Sequence, residues 1–352
     1  MPRGHLPLVF VLAAGAPGCA RRPLPPPSPL FPATVAWTVV FPEPVRGLAA
    51  DGPRVFALTG DGIVHALSAD SGAVLWSVPR AEGALSAGEG LLLLRQDDGT
   101  LWRLDPETGD ARWKVDSGVP GARAAQATAD GVVLVAGQGL AALEAGDGAK
   151  RWTQASSSVL GTATGPQSLI VSEEGGVVRR RDARTGASVW EARPGGTTLA
   201  TAVVGERGHV LLGGNGRAFT ALDLEDGSRE WRWKIGASVE GAPVLVGGRV
   251  LFATLEGVLY ALGQGNGHMA WRADLPSRPM GGPVLVGTAV LVPCHGARPD
   301  ESVVIGFDGR TGAPLGSVTA PAEVRPPIVV QGGRLFLALR DRRVTAVALR
   351  VS

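Results

Sequence analysis

The sequence predicts an all-β fold, an eight-bladed β-propeller of four-stranded antiparallel blades. Three observations predict it: a phrase recurring about every forty residues, glycine-rich turns between short apolar runs, and no helical period over a useful window. The phrase is clearest at Ala66–Trp76, ALSADSGAVLW, which turns at Ser71-Gly72 and reaches a tryptophan four residues later. It returns as RLDPETGDARW ending at Trp113, ALEAGDGAKRW at Trp152 and RRDARTGASVW at Trp190. Three more copies follow: ALDLEDGSREW at Trp231, ALGQGNGHMAW at Trp271 and GFDGRTGAPLG, which ends at Gly316.

One unit shows what each copy closes. Between Val239 and Asp274 the apolar runs APVLV, RVLFATL and VLYAL are separated by Gly247-Gly248 and Glu256-Gly257, and a fourth run follows Gly265-Asn266-Gly267. Short runs joined by tight glycine turns read as an antiparallel meander. A four-stranded sheet cannot bury both faces alone, and radial repetition solves that problem by packing each sheet on the next.

The blade count follows from the chain ends. After Gly316 a further unit begins, with runs at Pro327–Val330, Arg334–Leu339 and Val344–Leu349, and lacks its fourth strand. Ala33–Val40 supplies it, because Trp37 stands in phase with Trp76 and the tryptophans beyond. The N-terminal strand is therefore expected to close the ring inside the C-terminal blade, giving eight.

Within the phrase, a glycine stands four residues before the aromatic position in every copy: Gly72, Gly109, Gly148, Gly186, Gly227, Gly267 and Gly312. Either a positive φ or the close approach of a neighbouring blade's ring would exclude a Cβ there. The tryptophans offer broad flat apolar surfaces for packing between sheets.

Composition agrees. The 352 residues include 51 Gly and 27 Pro, suited to many turns and unsuited to long helices. A formal net charge of +2 gives no electrostatic footprint for nucleic acid. The two cysteines, Cys19 and Cys294, cannot form a disulfide framework.

The N-terminus reads differently from the rest. Residues 1–18 hold Arg3 and then the apolar run LPLVFVLAAGA, a length suited to a signal peptide. Ala16-Pro17-Gly18-Cys19 resembles a bacterial lipobox, with Ala16 where leucine is usual, so Cys19 is the expected lipid attachment site. Ordinary cleavage after Ala16 is the rival reading. Ala20 follows the cysteine without an acidic residue, which favours sorting to the outer membrane. Residues 19–32, containing RRPLPPPSPLFP, read as a polyproline-biased tether, and 33–352 as the propeller.

The phrase A-x-D-x-x-T-G-x-x-x-W resembles the repeat of the pyrroloquinoline-quinone-type propellers over roughly Ala33–Val351, best at RLDPETGDARW and ALDLEDGSREW. That family holds quinone-dependent dehydrogenases and also non-catalytic members, among them lipoproteins of outer-membrane β-barrel assembly. With its lipobox and tether the chain is most similar to the latter. The resemblance implies a periplasm-facing scaffold, monomeric within a hetero-complex, whose partner is the integral subunit of the assembly machinery. A generic periplasmic propeller binding another protein or a cell-wall glycan is the alternative, and a quinone-dependent dehydrogenase is a further one.

The residues offer little chemistry. No adjacent cysteines occur, and Asn215 and Asn266 sit in glycine-rich turns. Asp105, Asp182, Asp223 and Asp308 recur at one position of the phrase, as turn residues do. The five histidines keep no ligand spacing, so no catalytic, cofactor or metal residue is assigned. Gly213-Gly214-Asn215-Gly216 lacks the lysine of a phosphate loop and reads as a hairpin. Arg179-Arg180-Arg181 is expected to send one or two side chains to solvent, on a face suited to an acidic partner. Cys294-His295, in the widest unit beside Arg298, Asp300 and Glu301, is expected in a surface loop with a free thiol, a candidate docking site. Replacing a joint tryptophan tests the packing reading: Trp152→Ala is expected to cost roughly 3–5 kcal/mol, measured as a fall in thermal and denaturant midpoints.

Overall fold

Alternation of apolar runs and glycine turns makes four short strands per unit, and hydrogen bonding joins them in chain order. The computed structural model describes residues 30–350 apart from 81, 123 and 166. Cys19, the expected signal peptide and residues 19–29 of the expected tether lie outside the described residues. The strands form eight four-stranded antiparallel sheets arranged as a propeller. Blades 1 to 7 cover residues 45–79, 84–116, 124–154, 159–192, 203–234, 239–274 and 284–320. Blade 8 takes three strands from 324–348 and its outer strand from Thr34–Val40, with Trp37 opposite Ala346. The ring closes through the N-terminal strand, as the phase of Trp37 requires.

The core is divided among the joints. Each apolar cluster is built from two neighbouring blades, such as Val55 and Leu67 with Phe336 and Val344 between blades 1 and 8. The second strand of each blade is almost wholly buried, the third mixes buried and half-buried residues, and the outer strand alternates exposed with more sheltered residues. That alternation leaves the tryptophan facing inward toward the next blade.

The phrase explains the joint. Its glycine has φ between +65° and +77° in all seven copies. A Cβ there would also strike the preceding blade's indole: at 2.7 Å from Trp37 for Gly72, and at 2.6 Å from Trp152 for Gly186. The series continues through Trp76 on Gly109, Trp113 on Gly148, Trp190 on Gly227, Trp231 on Gly267 and Trp271 on Gly312. Both physical reasons for glycine therefore hold at once. The indole N–H then donates to a carbonyl in the same turn, as Trp37 to Ala69 O at 3.0 Å and Trp190 to Leu224 O at 2.9 Å. Trp271 is the exception: its Nε1 is buried without a partner among the described residues. A register shift precedes each phrase tryptophan, leaving one bulged residue such as Leu75 or Arg151 beside it.

Blade 7 lacks a phrase tryptophan, and residues read as tether fill the space. Phe31 lies on Gly316 and Gly306, where a Cβ would come within 2.6 Å of its ring at either position. Leu30 is 1% exposed in the cluster between blades 7 and 8, and its carbonyl accepts from Arg350 N at 3.2 Å. Packing thus includes Leu30 and Phe31, ahead of the expected boundary at 33, because the missing indole leaves a slot that two apolar side chains occupy. Phe31→Ala is expected to lower stability by about 3 kcal/mol, read from the shift of the urea midpoint.

Candidate functional site

The repeated residues are spent on structure. The phrase aspartates cap their own turns: Asp105 Oδ1 accepts from Glu107 N at 2.7 Å, Asp182 Oδ1 from Thr185 N at 2.8 Å, and Asp223 and Asp308 do the same. The Thr185 hydroxyl and these amides hold the Asp182 carboxyl below the usual carboxylate range. Asn215 ties the blade 5 hairpin by accepting from Thr197 N at 2.9 Å and Thr198 N at 3.1 Å, and Asn266 accepts from His268 N. Among the described residues, no group of three or more His, Cys, Asp or Glu side chains is placed to hold a metal ion.

A second set of contacts ties blade to blade, and it escaped sequence reasoning. Five joints are crossed by an arginine that reaches the next blade's phrase turn. Arg54, at the head of the second strand of blade 1, pairs with Glu107, and Arg334 of blade 8 pairs with Asp70 at 2.7 Å. Arg249 of blade 6 donates to Arg310 O at 2.9 Å. From the third strand, Arg103 of blade 2 donates to Ala145 O at 2.7 Å, and Arg180 of blade 4 donates to Leu224 O and pairs with Glu225. Between blades 5 and 6, Glu206 N donates to Gln264 Oε1 instead.

The joint between blades 3 and 4 has no such crossing from those two positions. They hold Val132 and Ala142, and a cleft of about 760 Å³ opens there. Val132, Leu134 and Leu169 form an apolar floor, and Asp130, Arg151, Asp182 and Arg184 stand around it. Arg151 is held by both oxygens of Glu144, at 2.5 and 2.9 Å. This cleft is the candidate site because an apolar floor and a charged rim meet at a joint that no crossing arginine closes.

The arginine run differs from its expected role. Arg179 pairs with Glu173 and Glu191, Arg180 crosses to blade 5, and Arg181 is 5% exposed and donates to Gly186 O at 3.1 Å. None is left over as a solvated docking face, because acids and carbonyls on adjoining strands consume all three. Arg179 and Arg181 share Glu173, fully buried, which also accepts from Ser156 and Ser157 hydroxyls at 2.6 Å. Burial alone would raise its pKa, but Arg179 and the two serines outweigh that and lower it.

The seventh unit is also corrected. Cys294 lies in the strand Ala289–His295 and is fully buried, packed with Val292, Phe307 and blade 6. Burial pushes its thiol up to about 12, so it is inert at neutral pH. His295 is the exposed end of that strand, and residues 296–301 form the surface loop, which closes on itself through Gly296 N to Glu301 O at 2.9 Å and an Arg298–Glu301 pair at 3.3 Å.

Fold and joints together define an eight-bladed propeller whose repeat is a scaffold element. The family described as outer membrane protein assembly factor BamB matches residues 33–169 and 174–317, and the chain belongs to that family. No curated protein matches it at the sequence level. Among solved structures, BamB from Moraxella catarrhalis is similar at 20% identity and a TM-score of 0.70, over 90% of this chain and 99% of that one. The computationally designed Ika8 protein gives 13% identity and a TM-score of 0.75, over 89% and 99% of the two chains. Sqt1 from Saccharomyces cerevisiae gives 11% and 0.71, over 90% and 99%. At these identities the likeness establishes the fold alone.

The buried Glu173 network gives a pH prediction. Its folded pKa is lowered, so its stabilisation is complete above the unfolded value, about 4.3, and is lost as pH falls through the folded value. Glu173→Gln is expected to cost about 3 kcal/mol at pH 7. Denaturation at pH 7 and pH 3 should show the gap between variant and parent shrinking in acid.

Proposed function

We propose that the protein is a non-catalytic scaffold on the periplasmic face of the bacterial outer membrane, held there by a lipid on Cys19. It acts in the assembly and insertion of β-barrel proteins, as one subunit beside the integral component of the assembly machinery. The observation that carries this reading is the family match across nearly the whole propeller. The joints support it: their tryptophans, glycines and aspartates are committed to packing and turn capping, which makes a rigid platform whose distinctive surfaces are free to differ. The lipobox-like Ala16–Cys19 and the proline-rich stretch after it support the anchor and a spacer. Fold alone does not choose between enzyme and scaffold, so the test is one of partners.

Crosslinking in native membranes followed by mass spectrometry should recover the integral assembly subunit; recovery of other periplasmic proteins or glycan without it overturns the reading. Mass analysis of the mature chain should find an acylated Cys19, and an unmodified N-terminus at Pro17 overturns the anchor.

A further inference from the structure

The cleft between blades 3 and 4 departs twice from the pattern of three other joints. At three other joints an acid occupies the fifth position of the phrase and meets a crossing arginine: Glu107 with Arg54, Glu225 with Arg180, Asp70 with Arg334. Here the crossing positions hold Val132 and Ala142, and the fifth position is Arg184. The charge at the mouth is reversed and no crossing side chain from blade 3 pairs with it, although Asp182 two residues earlier feels its charge.

The other charged groups around the cleft are engaged. Arg151 is paired with Glu144 through Nε and Nη2, Asp182 caps its turn and takes the Thr185 hydroxyl at 2.8 Å, and Asp130 accepts from Thr128. The exposed Arg184 guanidinium makes no ion pair or hydrogen bond among the described residues. One backbone acceptor is open to a second donor. Ala183 O takes the Trp152 indole at 3.2 Å and, like Ala69 O, Pro106 O and Gln264 O, no arginine, whereas Ala145 O and Leu224 O each take both.

The geometry points to this cleft as a docking site for an extended acidic segment of a partner protein. A carboxylate of the segment pairs with Arg184, its apolar neighbours rest on Val132, Leu134 and Leu169, and one of its backbone amides donates to Ala183 O. The partner restores from outside, with reversed polarity, the pair that other joints make internally. A cleft of about 760 Å³ accommodates a few residues of such a segment. This deepens the scaffold reading and rests on it for the partner being a protein.

Fluorescence polarisation with the full chain and a labelled pentapeptide, acetyl-Val-Glu-Leu-Glu-Val-amide, tests it. Saturable binding is expected, weaker by about tenfold when glutamine replaces the glutamates or when the protein carries Arg184→Gln. Arg184→Glu should shift preference to the lysine version of the peptide. The double change Val132→Arg with Arg184→Glu rebuilds a pair like Arg54–Glu107, and should abolish binding while keeping the parent's melting temperature. No saturable binding, equal binding of the glutamine peptide, or indifference to Arg184→Gln overturns the proposal. The assay contains no membrane or assembly component, so its failure leaves the crosslinking result standing. Conversely, a crosslinking failure with peptide binding intact changes the partner and keeps the cleft.

Discussion

The indole laid on the next blade's turn glycine is the contact on which the propeller depends. The turn must adopt a positive φ to reverse the chain, and it must present no Cβ so that the ring can close on its backbone. One residue type meets both demands, which is why the glycine recurs in all seven copies while its neighbours vary. The indole N–H satisfies a carbonyl of the same turn at most joints, so packing and hydrogen bonding fix the angle between sheets together. Where the tryptophan is missing, at Gly316, the molecule supplies Phe31 from another part of the chain.

What repeats was legible in the sequence, because repetition separates a rule from an accident. The blade count, the outer strand at Trp37 and the purpose of the glycines all followed from phase. Contacts between unlike residues did not. Arg179–Arg181 looked like a solvent-facing run because Glu173 and Glu191 lie on other strands and Glu225 in the next blade's turn. Leu30 and Phe31 were hidden by the proline-rich composition around them, although the missing tryptophan at 316 was a signal that something else must fill the slot. The bulge beside each phrase tryptophan changes register by one residue and leaves no mark in composition.

The cleft is the most instructive omission. Both crossing arginines are absent beside it, and absence shows only when equivalent positions are compared blade by blade. Arg54, Arg249 and Arg334 stand at one such position and Val132 at the same place in blade 3; Arg103 and Arg180 stand at another, and Ala142 matches them. In a repeat protein the scaffold is written in what the copies share. Recognition is free to occupy what a copy lacks.

The strap at Leu30 and Phe31 has a mechanical corollary. It enters the ring between blades 7 and 8, and the cleft opens between blades 3 and 4, four blades away in a ring of eight. The two lie at opposite ends of one diameter. Tension delivered through the N-terminal chain and a load borne at the cleft would therefore act along a common line through the propeller's axis, stretching the ring rather than spinning it. The joints along both arcs would share that load, and the clasp formed by Thr34–Val40 in blade 8 would be the seam that bears it first.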